Sequence, residues 1–392
     1  MAAPSRLVVT ACALKFFDGF LLIYPFYAVM FVDHGLTPWQ VSVTLIAWST
    51  TAFVLQMPAG LLADRFPRRW LLAGAQFARA IGFLAWLLFP GFVGFLIGLM
   101  LWGVKSAFTN GVFEALVYDE LREAGRADEY ARIVGRAQAC LFAAMLISSF
   151  LAAYVVTHGY GPPIIASIAA SIAATWAALS LPAARRAQPM GRADYLGQLK
   201  RGFGYAAGHV LLPGVIAILA VSQAFGGGLE AFWAVFGREV GLRTSDIALV
   251  VGLVGASQGA GAALAYRARA WPLAFFLGLL AAIGLMLGGA ALAYQPWAVV
   301  LIIVLAGLFK VIDVNLDARL HDAIPTEMRA TLAATRSFAG LTALTLMLLG
   351  FGPLAQATSY RTAFLGAAAA LIAIGLGFLF LRAFRRPGPT QA

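Results

Sequence analysis

Twelve apolar runs of about twenty residues, parted by short polar loops, fix what this chain can fold into. A run of that length crosses the hydrocarbon core of a bilayer as an α-helix. Only helices and closed barrels can cross, because lipid offers no partner to an unpaired N–H or C=O. The runs centre near residues 20, 50, 80, 105, 144, 171, 223, 254, 281, 305, 341 and 371. Of 392 residues, 61% are hydrophobic and 11% charged, against about a quarter charged in soluble domains. The expectation is an all-α membrane protein of twelve transmembrane helices, with no loop long enough to house an enzyme domain.

Basic residues fall on alternate loops. With a cytoplasmic N-terminus, the inner loops hold Arg65, Arg68 and Arg69, then Arg122 and Arg126, then Arg185, Arg186, Arg192, Lys200 and Arg201. They continue with Arg267, Arg269, Arg319 and Arg329, and Arg382, Arg385 and Arg386 lie in the tail, whereas the outer loops hold Arg238, Arg243 and Arg361. Lys and Arg gather on the inner side of membrane proteins, so both termini are expected inside. The same asymmetry carries most of the net charge of +11, which speaks for anionic lipid headgroups and against nucleic acid. The stretch after Arg6 lacks a small-residue cleavage site, and Lys15 and Asp18 interrupt it, so it reads as a first helix, not a signal peptide. Cys12 and Cys140 sit in apolar context without metal or redox spacing and read as packing residues.

The chain repeats itself at half its length. Ala28-Val-Met-Phe-Val-Asp33-His-Gly35-Leu36 returns as Ala234-Val-Phe-Gly-Arg-Glu239-Val-Gly241-Leu242. Arg68 and Trp70 return as Arg269 and Trp271, and Glu114-Ala-Leu-Val-Tyr-Asp119 returns as Asp317-Ala-Arg-Leu-His-Asp322. The separations, 206, 201 and 203 residues, nearly coincide. Two six-helix pseudo-repeat halves are therefore expected, at 1–181 and 209–392 with a short basic tail. Between them, 182–208 reads as a cytoplasmic linker. Its Pro182, Pro189 and Gly191 break helix, and Tyr195, Leu196, Leu199 and Phe203 then share one face of a basic amphipathic segment.

The stretch Gly60-Leu-Leu-Ala-Asp64-Arg65-Phe-Pro-Arg68-Arg69 places fixed charge between two apolar runs. Read alone, it is a basic inner loop. Its pattern resembles the loop signature between the second and third helices of the major facilitator superfamily of secondary transporters, a resemblance that the twelve runs and the repeat extend to the whole chain. That resemblance implies that Gly60 lets two helices approach, and that Asp64, Arg65, Arg68 and Arg69 belong to a cytoplasmic latch. Pro67 departs from the family's second Gly and cannot take a positive φ, so the turn must differ. The run from Glu114 to Asp119, with Glu129-Tyr-Ala-Arg132-Ile-Val-Gly135-Arg136 after it, is similar to a bacterial branch of exporters of small organic molecules. The Arg–Gly spacing and helix 5 motif of the family's proton-coupled drug antiporters do not occur.

A charge at membrane depth costs a few kcal/mol and faces a partner or a watery cavity, so each is a functional candidate. Helix 1 has Lys15 and Asp18, three apart on one face, read either as a salt bridge with each other or as part of a site. Helix 3 has Arg79, helix 4 Lys105, helix 7 Glu230, and helix 10 Lys310, Asp313 and Asp317 as an i, i+3, i+7 stripe beside Asn315. The resemblance implies that helices 1, 4, 7 and 10 line the cavity. Asp18, Arg79, Lys105, Glu230, Lys310 and Asp313 are accordingly the substrate or proton-coupling candidates. Glu114, Asp119, Asp317 and Asp322 lie nearer the inner ends, where pairing with Arg136, Arg336 or the Gly60 loop makes them gate candidates. Gly226-Gly227-Gly228 before Glu230 predicts a hinge or a close helix contact, as Gly255 and Gly259 predict close packing. Pro25 predicts a kink.

No nucleotide-binding, metal-ligand or nucleophile motif occurs, so neither enzyme, cofactor nor metal site is expected. The resulting expectation is a monomeric secondary transporter in the bacterial inner membrane, exporting a small organic molecule by alternating access with protons as the coupling ion. Uptake or exchange of an anionic metabolite is the alternative, with Lys105, Arg79 and Lys310 supplying charge. A lipid flippase or a non-transporting sensor represents a different class.

Overall fold

The computed structural model describes residues 4–182, 197, 201, 204, 205, 207–209, 212–322 and 328–384. The residues expected to form the amphipathic face of the linker, the inner-loop residues Arg185, Arg186, Arg192 and Lys200, and the tail residues Arg385 and Arg386 lie outside the described residues. The chain divides into two compact units, Met1–Gln198 with Arg243–Gly252, and Leu199–Leu242 with Leu253–Ala392.

All regular structure among the described residues is helical. The first unit holds α1 (Pro4–Gly19), α2 (Tyr27–Asp33), α3 (Pro38–Arg65), α4 (Arg68–Leu88), α5 (Phe92–Thr109), α6 (Val112–Glu123), α7 (Tyr130–Val155) and α8 (Gly161–Leu179). The second holds α9 (Leu212–Ser222), α10 (Glu230–Glu239), the larger part of α11 (Thr244–Leu264), α12 (Leu273–Ala293), α13 (Val299–Asp322), α14 (Arg329–Ala357) and α15 (Tyr360–Phe384). Among the described residues, eleven stretches are long and apolar enough to cross a membrane. The expected first span is not among them because it is split between α1 and α2, each too short alone.

Helix α4 shows how the spans are built. Leu72, Gln76, Arg79, Phe83 and Trp86 recur every three or four residues and are buried, while Trp70, Phe77, Ile81, Leu84 and Leu88 form an exposed apolar stripe. Protein on one face and lipid on the other accounts for a helix that is apolar nearly all round yet carries Gln and Arg inside.

Only Phe66 and Pro67 join α3 to α4. Pro67 precedes the first turn of α4 with φ −58° and ψ 123°, a conformation proline favours, so no positive φ is needed there. At Gly60 a Cβ would meet nothing within 4 Å among the described residues. The same holds at Gly255 and Gly259; it is Gly261 and Gly307 that bring α11 against α13.

Both units break their first helix. Around Pro25 the chain leaves helical geometry from Phe20 to Phe26, a full interruption and not the kink expected, because proline supplies no N–H and blocks the turn before it. The freed groups are satisfied from other helices. Ser167 of α8 accepts from the Ile23 N–H at 3.0 Å, and Arg79 of α4 donates to the Asp18 carbonyl at 3.1 Å. In the second unit a π-helical turn occupies Gln223–Gly227, and α10 begins at Glu230. The triple glycine serves both readings, since a Cβ at Gly228 would collide with Met347 and Leu344, and one at Gly226 would press on Phe309.

The repeated Gly-Leu is a helix stop. Gly35 and Gly241 take φ of +85° and +91°. Leu36 donates to the Phe31 carbonyl at 3.0 Å and Leu242 to the Gly237 carbonyl at 2.9 Å, closing the last turns of α2 and α10 in the same way.

Candidate functional site

The break at Phe20 leaves Asp18 at the end of α1, where its carboxylate gathers three side chains. Arg79 donates to Oδ1 at 2.8 Å, Lys105 lies 2.7 Å from Oδ1 and 3.0 Å from Oδ2, and Gln76 donates to Oδ1 at 3.0 Å. Arg79 Nε also donates to the Ser171 hydroxyl of α8 at 3.2 Å. Side-chain exposure is 2% for Arg79, 10% for Asp18 and 12% for Lys105, so one carboxylate faces two cations nearly out of solvent. The formal balance is one positive charge in excess. Arg79 Nη2 and Gln76 Oε1 are buried and have no hydrogen-bond partner among the described residues. A buried charge left uncompensated is costly.

Three of the expected residues, Asp18, Arg79 and Lys105, therefore meet. Lys15 does not join them. It lies 3.6 Å from Glu114 of α6 and 4.3 Å from the Phe113 ring, which overturns the expected Lys15–Asp18 pair. Both residues lie within α1, one turn apart, and each takes the nearer partner on a neighbouring helix: Asp18 meets α4 and α5, and Lys15 meets α6. Glu114 likewise pairs with Lys15 instead of Arg136, Arg336 or the Gly60 loop, and Arg136 is exposed with no ion pair among the described residues.

In the second unit Lys310 is exposed and forms no ion pair among the described residues, so it does not bind the helix 10 stripe together. Asp313 lies beside Ser222 of α9, with Lys310 and Arg336 near enough to act on it electrostatically. Asp317 pairs with Arg336 of α14. Asn315 is structural, donating to the Ala265 carbonyl at 2.8 Å and to that of Val311 at 2.9 Å. Glu230 is half-buried in the first turn of α10, where a carboxylate suits the helix dipole.

The repeat reappears as chemistry. Arg68 pairs with Asp119 in the first unit, and Arg269 lies 3.1 Å from Asp322 in the second. Asp64 has no ion pair among the described residues, and Arg65 is exposed. Arg69 packs its guanidinium over Trp70.

Sequence reasoning missed Gln76, Ser167 and Ser171. The i, i+3 spacing of Gln76 and Arg79 on an otherwise apolar face was a usable signal. So was the Ser167, Ser171, Thr175 stripe on α8.

Comparison with known proteins agrees with this architecture. The sequence matches the Major Facilitator Superfamily over residues 9–340. No curated protein matches it. Among solved structures, the nucleoside transporter NupG superposes with a TM-score of 0.75 at 13% identity, covering 99% of this chain and 100% of that one. An auto-inhibited POT family peptide transporter gives 0.72 at 14% identity, with 99% of each chain covered. A D-xylose-proton symporter gives 0.65 at 16% identity, covering 94% of this chain and 97% of the other.

Proposed function

We propose that this chain, which belongs to the major facilitator superfamily of membrane transporters, carries a small organic molecule bearing an acidic group. The observation that supports this is the buried pairing of Asp18 with both Arg79 and Lys105. A carboxylate or phosphate entering the site brings the excess positive charge to balance, whereas a cation adds a second uncompensated charge. Lys105, the most exposed of the three, meets the ligand first and is drawn from Asp18 toward it.

Proton coupling follows from the same exchange. When the substrate takes over Lys105, Asp18 loses one of its two cations and becomes the group that can accept a proton. A proton-coupled sugar transporter shares the fold. Asp313 and Glu230 are the corresponding carboxylates of the second unit. The direction we assign is export, on the resemblance of the Glu114–Asp119 and Glu129–Arg136 runs to an exporter branch, and the setting is the bacterial inner membrane with cytoplasmic termini, on the basic inner loops. The Arg68–Asp119 and Arg269–Asp322 pairs are assigned as gates that part when the inner side opens.

The test is a thermal-shift series on the purified chain with small carboxylates and phosphates against their amides and amines. A ligand that binds the folded state raises apparent stability with concentration. Acids are expected to stabilise the wild type and not Lys105→Met. Stabilisation by amides or amines alone, or an unchanged response in Lys105→Met, overturns the assignment. Accumulation of the stabilising acid in liposomes under an imposed pH difference then checks the proton.

A further inference from the structure

The charged cluster continues along three helices into a group of aromatic rings. Trp102 precedes Lys105 on α5 by three residues, a rise of about 4.5 Å. Phe83 and Trp86 follow Arg79 on α4 by roughly one and two turns, about 6 and 10 Å. Across the break from Asp18 stand Tyr24 and Tyr27. Trp102 is the hub, with ring centroids 5.4 Å from Phe83, 6.0 Å from Tyr24, 6.1 Å from Tyr27 and 6.2 Å from Trp86.

These rings are not all core. Phe83 and Trp86 are fully buried, and Trp86 donates its indole N–H to the Phe95 carbonyl at 3.3 Å, as a buried tryptophan should. Tyr24, Tyr27 and Trp102 are half-buried. The Trp102 indole N–H has no hydrogen-bond partner among the described residues. Nor does Trp102 face lipid with the exposed stripe of α5: Val93, Ile97 and Met100 form that stripe, and Trp102 lies about 200° round the helix from Met100. Trp102 and Lys105 thus lie on the protein side of α5, one turn apart.

From this geometry we infer that the site selects acids carried on a planar aromatic ring, an inference that rests on the acidic-group reading of the same cluster. The acid meets Lys105 and Arg79, and the ring lies against Trp102, Tyr24 and Tyr27, with Phe83 and Trp86 as a rigid backing. Gly98 keeps that backing in place, because a Cβ there would collide with the Trp86 indole. Aromatic rings gain from offset or edge contacts beyond the area they bury, by roughly threefold to tenfold in affinity.

Isothermal titration calorimetry on the full chain in lipid nanodiscs separates the two readings. The probes are 3-phenylpropionate, 3-cyclohexylpropionate, propionate and 3-phenylpropanamide. The aromatic acid is expected to bind threefold to tenfold more tightly than the cyclohexyl acid, with propionate weaker still and the amide not binding. Trp102→Leu should lower the affinity for the phenyl acid to that for the cyclohexyl acid, and Trp102→Phe should restore most of it. Equal binding of the phenyl and cyclohexyl acids overturns the aromatic inference and leaves the acidic site standing. Amide binding as tight as the acid overturns the acidic site itself, and no binding by any probe overturns both. The ranking is read on the wild type, so a variant that fails to fold does not shield the inference.

Discussion

Replacing Asp18 by Asn should be among the most destabilising isosteric changes available to the first unit, and Lys105→Met should partly rescue it. Asparagine keeps the shape and can still accept from Gln76, but it leaves Arg79 and Lys105 as two like charges with side chains only 2% and 12% exposed. Removing one partner of a buried ion pair costs about 3–5 kcal/mol. At roughly 2 °C per kcal/mol for a large chain, the apparent melting temperature falls by about 6–10 °C. Lys105→Met alone keeps most of the stem's packing and leaves a balanced Asp18–Arg79 pair, at a cost of about 1 kcal/mol or less. In the double variant a single cation remains, so the two changes should couple favourably by about 1–3 kcal/mol. The assay is a double-mutant cycle of thermal unfolding in nanodiscs of one lipid composition at one scan rate, since membrane proteins unfold irreversibly and the midpoint depends on rate. Additivity within about 0.5 kcal/mol would refute the reasoning, for it would mean that Lys105 does not share the carboxylate.

Ser167→Ala removes the acceptor for the Ile23 N–H inside the helix break and should cost about 1–3 kcal/mol, with Ser167→Thr restoring most of it; amide hydrogen exchange at Ile23 reports the site directly. Asp119→Asn breaks the half-buried pair with Arg68, whereas Asp64→Asn breaks no ion pair among the described residues. Transport in liposomes should therefore fall more for Asp119→Asn than for Asp64→Asn, and the reverse order would remove Asp119 from the gate. Outside the spans, Tyr294 donates to Glu239 at 3.2 Å, and burial together with that carboxylate pushes its hydroxyl up from the ordinary tyrosine range. The unfolded chain then loses this proton first, near pH 10. Stability from Tyr294 is thus whole below about pH 10 and declines above it, a decline that Tyr294→Phe should flatten in alkaline unfolding curves.

Much of this was legible because lipid simplifies the problem. Charge is so expensive at depth that Asp18, Arg79 and Lys105 stand out from the sequence, and the Gly-Leu stops at Gly35 and Gly241 announce themselves by their repetition. Partners were harder to read. The i, i+3 rule put Lys15 beside Asp18, but each side chain found a closer partner on another helix, Glu114 for Lys15 and Arg79 with Lys105 for Asp18, and partners across helices cannot be read from spacing within one. Lys310 failed for a related reason: Arg336, nineteen positions along on another helix, reaches Asp317 instead.

The broken first span also sets an order for biogenesis. Its backbone cannot be fully satisfied by its own residues, and the hydroxyl that completes it lies 144 positions later in the chain. At about 5–20 residues per second, a ribosome needs roughly 7–30 s to deliver that helix. Asp18 gains Arg79 and Lys105 and Lys15 gains Glu114 earlier in that interval, but the open turn has no hydroxyl to complete it until the end. The segment must wait at the interface or in the shelter of the insertion machinery, and its final seat forms only once α4, α5 and α8 have arrived.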